Sequence, residues 1–209
     1  MPLPEPKAHF ADYSRRLSAV LESFDWSCVE PLAVELLDCW KSGRQVFFAG
    51  NGGSAGNANH LVNDLIYPVS KVRGSGIRAH ALTANPSVLT CLGNDEGYEN
   101  VFAYQLAVLG RRGDVLVVFS GSGNSPNILK ALEEARRLGI MSYAIVGYAG
   151  GRAKALADRV IHFAVDDMQI AEDTQTITAH MIVQWLYAQR ESIGAPAGRI
   201  TAATTNDAA

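Results

Sequence analysis

The sequence predicts an α/β fold: a three-layer αβα sandwich in which helices cover both faces of a five-stranded parallel sheet. Segments typical of strands alternate with segments of helical periodicity, an order that produces parallel strands joined by helical crossovers. The stretch DVLVVFS at 114–120 contains a continuous rather than alternating apolar run, as expected of a strand that is buried on both faces of such a sheet. No linker-like segment or tandem repeat interrupts the chain, so we expect one domain over residues 1–191, with a helical extension at its N-terminus.

The elements follow in order along the chain. Two amphipathic helices come first, because apolar side chains recur at helical spacing from Phe10 to Phe24 and from Val29 to Trp40. Short apolar segments then predict strands at 45–50, 77–82, 114–120, 142–147 and 159–165. Helices are expected between and after them at 54–66, 86–92, 97–109, 125–139, 150–157 and 169–190.

Two boundaries have specific residue signals. Ser125 suits the N-cap of the helix at 125–139, and Pro126 suits its first turn. The small and polar segment 192–209 has too little apolar surface to bury, so we expect a disordered tail there.

Composition excludes several classes of function. The net charge is −3 and the lysines and arginines form no block, which argues against a general nucleic-acid binder. No apolar run approaches the roughly 20 residues of a membrane span, and the first residues lack the apolar stretch of a signal peptide. We therefore expect a cytoplasmic protein, with Cys28, Cys39 and Cys91 as reduced, buried thiols.

Two loops rich in glycine and serine follow the first and third strands, as GNGGS and SGSGNSP. Ligands of parallel sheets bind beyond the carboxyl ends of the strands, where these loops lie. The first loop nearly matches a dinucleotide fingerprint through Gly50, Gly52 and Ala55, but that function needs an acidic residue after the next strand. No Asp or Glu occurs between Leu65 and Asn94, so the dinucleotide interpretation is rejected.

The second loop predicts a phosphate site. Ser120, Ser122 and Ser125 supply three hydroxyl groups within six residues, while Gly121 and Gly123 allow backbone N–H groups to converge. The loop leads into a helix N-terminus, which favours an anion. Because no lysine is near, the loop suits a phosphate monoester better than a triphosphate with magnesium. The alternative is a turn that only connects two elements.

A family resemblance rests on four motifs in order: GNGGSAGNANH, GNDEGYENVFAYQ, GRRGDVLVVFSGSGNSPNILKA and GGRAKALADRVI. Together they resemble the sugar isomerase (SIS) domain, which has a flavodoxin-like fold, and within it the phosphoheptose isomerase family over residues 5–190. The resemblance implies an aldose–ketose isomerase that converts sedoheptulose 7-phosphate to D-glycero-D-manno-heptose 7-phosphate through an enediol, for surface polysaccharide such as lipopolysaccharide or capsule. It also implies a homotetramer in which neighbouring subunits complete the active sites.

The resemblance carries over a set of site residues. Those expected to bind substrate are Asn51, Gly52, Gly53, Asp64, Asn94, Asp95, Ser120, Gly121, Ser122, Ser125 and Glu172. Those expected to bind a metal ion, with Zn²⁺ as the family's metal, are His60, Asp64, Glu172 and His180. Asp64 is the expected catalytic base and His180 the expected acid.

Helix geometry supports part of the metal set. His60 and Asp64 are four residues apart and share one helix face. Glu172 and His180 are eight apart, so they project about 80° from one another around a helix and need some adjustment to meet one ion. Two imidazoles and two carboxylates form a plausible tetrahedral zinc site. His9, His80 and His162 are interpreted as structural or surface histidines.

Two residues depart from the family pattern. Asp64 stands where the family has glutamate, which shortens the side chain by one carbon, and Glu172 stands where it has glutamine, which adds negative charge. The loop 67–78 also differs, so Arg73 and Arg78 are only candidates for a sugar contact. A different sugar-phosphate isomerase or sugar-binding regulator, and a non-catalytic protein resembling the family's replication-initiator-binding homologue, stay open as alternatives.

Overall fold

The computed structural model describes residues 5–193 and contains the predicted sheet. Its strands are β1 (Gln45–Ala49), β2 (Arg78–Ala81), β3 (Val115–Ser120), β4 (Met141–Val146) and β5 (Arg159–His162). They lie in the order β2-β1-β3-β4-β5, and all four neighbouring pairs are parallel. This is a doubly wound arrangement in which the strand order reverses between β1 and β3. The predicted fold class is confirmed.

Helices cover both faces of the sheet. They are α1 (Pro6–Ser23), α2 (Glu30–Ser42), α3 (Gly53–Ile66), α4 (Pro86–Asp95), α5 (Val101–Leu109), α6 (Pro126–Leu138), α7 (Ala153–Leu156) and α8 (Met168–Gln189). Short 3₁₀ turns lie at Trp26–Cys28, Tyr98–Asn100 and Arg190–Ser192. Residues 194–209 of the expected tail lie outside the described part of the chain.

The core has two layers because alternate strand residues face opposite sides. Val46 and Phe48 of β1 pack with α2, α3 and α8 on one face. Phe47 and Ala49 pack with α5 and α6 on the other. Every residue of β3 is buried, as its continuous apolar run predicted. The sheet is therefore covered on both sides, and its loops, rather than its faces, are left to bind ligands.

Helix α1 is attached differently, since none of its residues is buried. Tyr13 donates a hydrogen bond from its hydroxyl to Asp173 at 2.6 Å, and Arg16 pairs with Asp167 at 2.6 Å. The guanidinium lowers the pKa of Asp167, helped by the backbone N–H of Ile170. Polar contacts thus hold α1 to the start of α8, while Val20 packs partly buried against the core and Phe10 is exposed.

Two sequence expectations need correction. The helix predicted at 97–109 is a 3₁₀ turn followed by α5, and Gly97 lies outside both because its positive φ of 88° is not helical. Cys91 is exposed rather than buried, since α4 buries none of its residues. Its thiol donates to Asp95 at 3.5 Å, and that carboxylate raises the pKa of Cys91. Cys39 is buried as expected, and burial raises its pKa to about 12.

No helix in the described range is long and apolar enough to span a membrane.

The packing of α2 makes a stability prediction. Leu36 is fully buried against the sheet, so Leu36→Ala should lower the free energy of unfolding by about 2–5 kcal/mol through lost burial and a cavity. Asp38 is exposed on the same helix, and Asp38→Ala should change it by less than about 0.5 kcal/mol. Chemical denaturation of both variants measures the difference. Equal effects would contradict the packing.

Candidate active site

Both glycine- and serine-rich loops lie at the carboxyl edge of the sheet, where the strand order reverses between β1 and β3. Ligands of doubly wound sheets bind at this position. The first loop turns at Gly52, whose φ is +55°, and leads directly into α3. A Cβ atom at Gly53 would collide with the carboxylate of Glu172. The absence of a side chain at Gly53 therefore lets α8 approach the N-terminus of α3.

The second loop forms a small cup. A cavity of about 290 Å³ lies between the two loops and the start of α8; its lining comprises Asn51, Gly52, Ser54, Phe119, Ser120, Gly121, Ser122, Ser125, Met168 and Glu172. The hydroxyl oxygens of Ser120 and Ser122 accept hydrogen bonds from the backbone N–H groups of Gly123 (3.1 Å) and Asn124 (3.3 Å). These bonds fold the loop around the cavity.

Ser125 occupies the N-cap position of α6, as predicted. Among the described residues its side chain makes no capping hydrogen bond, which leaves its hydroxyl for a ligand at the helix N-terminus. Hydroxyl groups and the positive end of a helix dipole together suit an anion. The structure brings Ser120, Ser122 and Ser125 to one cavity.

Three of the four expected metal ligands converge. His60 and Asp64 project from α3 and His180 from α8, and their ligand atoms lie within 4.8 Å of one another. The two Nε2 atoms of the histidines are 2.8 Å apart, and Oδ2 of Asp64 lies 3.6 Å from His60 Nε2 and 3.8 Å from His180 Nε2.

This donor set fits a divalent cation. Bonds of about 2.0–2.1 Å in a tetrahedron place neighbouring ligand atoms about 3.3 Å apart, within the range of the three separations. Asp64 is largely covered, with 14% of its side chain exposed, while His60 (50%) and His180 (46%) face solvent. Three protein ligands with one side open are typical of catalytic rather than structural metal sites.

Glu172 lies outside this group within the chain. Eight residues of α-helix separate it from His180, which is about 12 Å along the axis of α8. The eight-residue spacing puts Glu172 and His180 on neighbouring faces of α8, but this rise separates them along the helix axis. Glu172 instead lines the anion cavity beside Gly53. Its role as a metal ligand stays a prediction, because within one chain Glu172 does not join the group of His60, Asp64 and His180.

The remaining expected residues lie elsewhere. Asn94 and Asp95 end α4, exposed and bonded to each other at 2.7 Å, and neither lines the cavity. Arg78 begins β2 and donates to the carbonyl of Gly43 at 3.2 Å. It therefore sits at the amino edge of the sheet, opposite the cavity. Arg73 is exposed in the loop before β2.

A buried polar cluster between α3 and α8 was not found from the sequence. Gln175 is 1% exposed, and its Oε1 accepts hydrogen bonds from Ser54 Oγ at 2.9 Å and Asn57 Nδ2 at 3.1 Å. Asn57 also donates to the carbonyl of Glu172 and accepts from the hydroxyl of Thr176. These residues precede His60 and His180 by one to two helical turns on the same helices. That spacing is the signal that could have identified them.

The fold and the site together define a SIS-domain protein, and residues 9–147 match the SIS domain family model. Within that family, the chain is 39% identical over 166 residues to the phosphoheptose isomerase of Akkermansia muciniphila, covering 79% of this chain and 86% of that protein. It is 36% identical over 176 residues to the phosphoheptose isomerase of Desulfovibrio desulfuricans, covering 84% of this chain and 83% of that protein.

A solved structure agrees with these relatives. The phosphoheptose isomerase from Neisseria gonorrhoeae superimposes with a TM-score of 0.79 at 30% identity, over 87% of this chain and 96% of that one. The chain therefore belongs to the phosphoheptose isomerase family, whose members are sugar-phosphate isomerases of the aldose–ketose class.

The three-residue group makes a metal-binding prediction. His180→Ala should weaken Zn²⁺ binding by more than the 10- to 100-fold typical of losing an outer-shell partner, because a direct donor is removed. Affinity should also fall as the pH is lowered, since a bound imidazole must be unprotonated. Calorimetric titration with Zn²⁺ measures both effects, and His9→Ala, at an exposed histidine of α1, is the control. Equal affinities in the two variants would exclude the site.

Proposed function

We propose that this protein isomerises sedoheptulose 7-phosphate to D-glycero-D-manno-heptose 7-phosphate. The observation that supports this most directly is that α3 connects the anion cavity to the carboxylate–imidazole group, which consists of His60 and Asp64 of α3 and His180 of α8. Gly53 begins α3 beside the cavity, and His60 follows seven residues later, about 10 Å along the axis.

That separation suits an open-chain sugar whose phosphate is far from its reacting carbons. Between C7 and C1 lie six carbon–carbon bonds of about 1.5 Å each, and the phosphate ester extends the molecule further. With the phosphate held at Ser120, Ser122 and Ser125, C1 and C2 reach the group that contains Asp64 and His180.

The chemistry of an enediol pathway needs one base and one acid. Asp64 removes the proton from C1 of the ketose while His180 donates a proton to the carbonyl oxygen on C2, which produces the 1,2-enediol. Asp64 then returns its proton to C2, and the hydroxyl on C1 gives its proton back to His180. The product is the aldose, with every proton accounted for.

Asp64 has two oxygens in different surroundings. Oδ2 faces the two imidazoles, whereas Oδ1 accepts a hydrogen bond from Asn63 Nδ2 at 3.1 Å. We propose that His60, Asp64 and His180 can also hold Zn²⁺, which would polarise the substrate's carbonyl oxygen. A metal-bound imidazole carries no proton on its ligating nitrogen, so in the metal-loaded protein the ion would replace the proton from His180, while Oδ1 of Asp64 would stay available as the base. Glu172, at the cavity, is placed to accept hydrogen bonds from sugar hydroxyls.

We place the reaction in the cytoplasm, where reduced cysteines persist, in keeping with the free thiols of Cys28, Cys39 and Cys91. The product would supply heptose for surface polysaccharide.

Activity tests the proposal with sedoheptulose 7-phosphate in D₂O, where deuterium enters at C2 to the extent that the proton on Asp64 exchanges with solvent in the enediol state. Asp64→Asn should lower kcat by about 10²–10⁴-fold, since an amide cannot act as the base. Asp64→Glu restores a carboxylate and should retain at least about tenfold more activity than Asp64→Asn, although it shifts the carboxylate by about one bond. Nuclear magnetic resonance of the product measures both rates.

Chain length supplies the specificity control. Fructose 6-phosphate, one carbon shorter, should have a kcat/KM at least about tenfold lower than sedoheptulose 7-phosphate. Equal rates would favour a different sugar-phosphate isomerase. A metal-free protein that turns over neither sugar and binds a protein partner would favour the non-catalytic alternative.

We also propose a homotetramer. One apolar groove lies between α2 and α8, lined by Trp26, Val29, Val34, Met181 and Trp185 among others. A second apolar cleft adjoins α5, where Tyr104, Val108 and Leu109 are exposed. Exposed apolar patches of this kind mark interaction sites. Two separate self-complementary surfaces on each subunit are what a tetramer with dihedral symmetry requires.

Charge substitutions test the two surfaces separately. Val108→Glu and Val34→Glu should each convert tetramers to dimers, because each buries a charge in one interface while the other persists. Lys41 is exposed on α2 and lies outside both surfaces, so Lys41→Glu should leave the tetramer intact. Light scattering gives the mass of each variant. A monomeric wild type at micromolar concentration would refute the assembly.

A further inference from the structure

A reciprocal amide pair joins the two ligand loops. Asn51 Nδ2 donates to Asn127 Oδ1 at 2.8 Å, and Asn127 Nδ2 donates to Asn51 Oδ1 at 2.8 Å. Asn51 belongs to the loop after β1, whereas Asn127 lies in the first turn of α6. The two side chains therefore form a closed ring of two hydrogen bonds between segments 76 residues apart.

The local structure fixes the orientation of Asn127. Its side chain is 2% exposed, and its Oδ1 also accepts the backbone N–H of Ile128 at 3.0 Å. Because that N–H can only donate, Oδ1 must be the acceptor, and Nδ2 is directed at Asn51. Burial and this bond hold the amide in one orientation.

Both partners adjoin the anion cavity. Asn51 lines it directly, and Asn127 follows the lining residue Ser125 by two positions. Asn127 itself is not among the lining residues. The hydroxyl of Tyr98, on the 3₁₀ turn before α5, also donates to Asn51 Oδ1 at 3.1 Å. Asn51 is thus held by Asn127 from the buried side and by Tyr98 from an exposed one.

We propose that Asn127 is a positioning residue for the isomerisation. By holding the amide of Asn51, it sets the distance between the first loop, with α3 behind it, and the serine cup at the N-terminus of α6. The carboxylate of Asp64 on α3 then stays at the right distance from C1 and C2 of a sugar whose phosphate is held in the cup. This role rests on the proposed function, and Asn127 acts through Asn51 without touching the substrate.

Loss of the Asn127 side chain should lower the rate of isomerisation more than it weakens phosphate binding. Removing the Asn127 side chain leaves the serine hydroxyls in place but frees the first loop to shift. A displacement of about 1 Å between reacting groups can cost about 10²-fold in rate. The ring also predicts strong coupling between its two members, since the loss of either breaks both hydrogen bonds.

A double-mutant cycle in the full-length protein tests this role. Asn127→Ala should lower kcat for sedoheptulose 7-phosphate by about 10- to 100-fold while KM changes less than about threefold. Asn127→Ala added to Asn51→Ala should lower kcat by less than about twofold more. Asn127→Asp keeps the shape and both acceptor contacts but loses the donor to Asn51, and should lower kcat by at least about tenfold.

Ser142→Ala is the matched control for a lost buried polar group. Ser142 is 1% exposed and bonds to Asp158 at 2.7 Å, near the amino end of β4 and far from the cavity. It should lower the melting temperature with kcat unchanged.

An active wild type whose kcat is unaffected by Asn127→Ala and Asn127→Asp would overturn the positioning role alone. Independent, multiplicative losses in the double variant would overturn its action through Asn51. A wild type without turnover would overturn the proposed function and, with it, this role.

Discussion

The packing of α3 against α8 is the constraint on which the rest of the site depends. His60 and Asp64 lie on one helix and His180 on the other, so the group exists only while the two helices keep their register. Gln175 supplies that register by accepting hydrogen bonds from Ser54 and Asn57 in the buried interface. An unmade bond there would cost more than a typical hydrogen bond contributes, because a buried polar group would lose its partner. Among the described residues, Gln175 Nε2 has no hydrogen-bond partner, so the cluster satisfies the oxygen of this amide and not its nitrogen.

Helix α3 connects the anion cavity to the carboxylate–imidazole group. The N-terminus of α3 lies beside the anion cavity. His60 and Asp64 follow about two and three turns later on the same helix. Because an α-helix is rigid over this length, the distance from the cavity to the carboxylate of Asp64 is set by the number of residues between Gly53 and Asp64. The sheet contributes the other fixed element, since the reversal of strand order between β1 and β3 opens the crevice that the two loops line. A ligand spanning both places is held by scaffold rather than by a flexible segment.

The two departures from the family pattern have different structural meanings. Asp64 faces both imidazoles despite its shorter side chain, so the substitution keeps a carboxylate at the group. Glu172 lies at the cavity beside the start of α3. Its carboxylate is therefore next to both the helix N-terminus and the place where an anion would bind, and it competes electrostatically with that anion for the same backbone dipoles. The charge at position 172 thus bears on substrate binding more directly than on the metal group.

The sequence by itself determined the strand and helix order, the parallel sheet and the serine cup, because apolar periodicity and loop composition are local signals. It also paired His60 with Asp64, since four residues on a helix share a face. The family resemblance named both Glu172 and His180 on α8, and only the tertiary structure decided that His180 meets them within the chain and Glu172 does not. The reason is that a spacing of eight residues specifies an angle around the helix but also a rise of about 12 Å. The Asn51–Asn127 ring and the Gln175 cluster were likewise not predicted, since their partners lie 76 and 121 residues apart. Of the two, the Gln175 cluster has a sequence signal, which is its helical spacing from His60 and His180. Hydrogen bonds between distant segments are products of the folded chain, and this site is built from them.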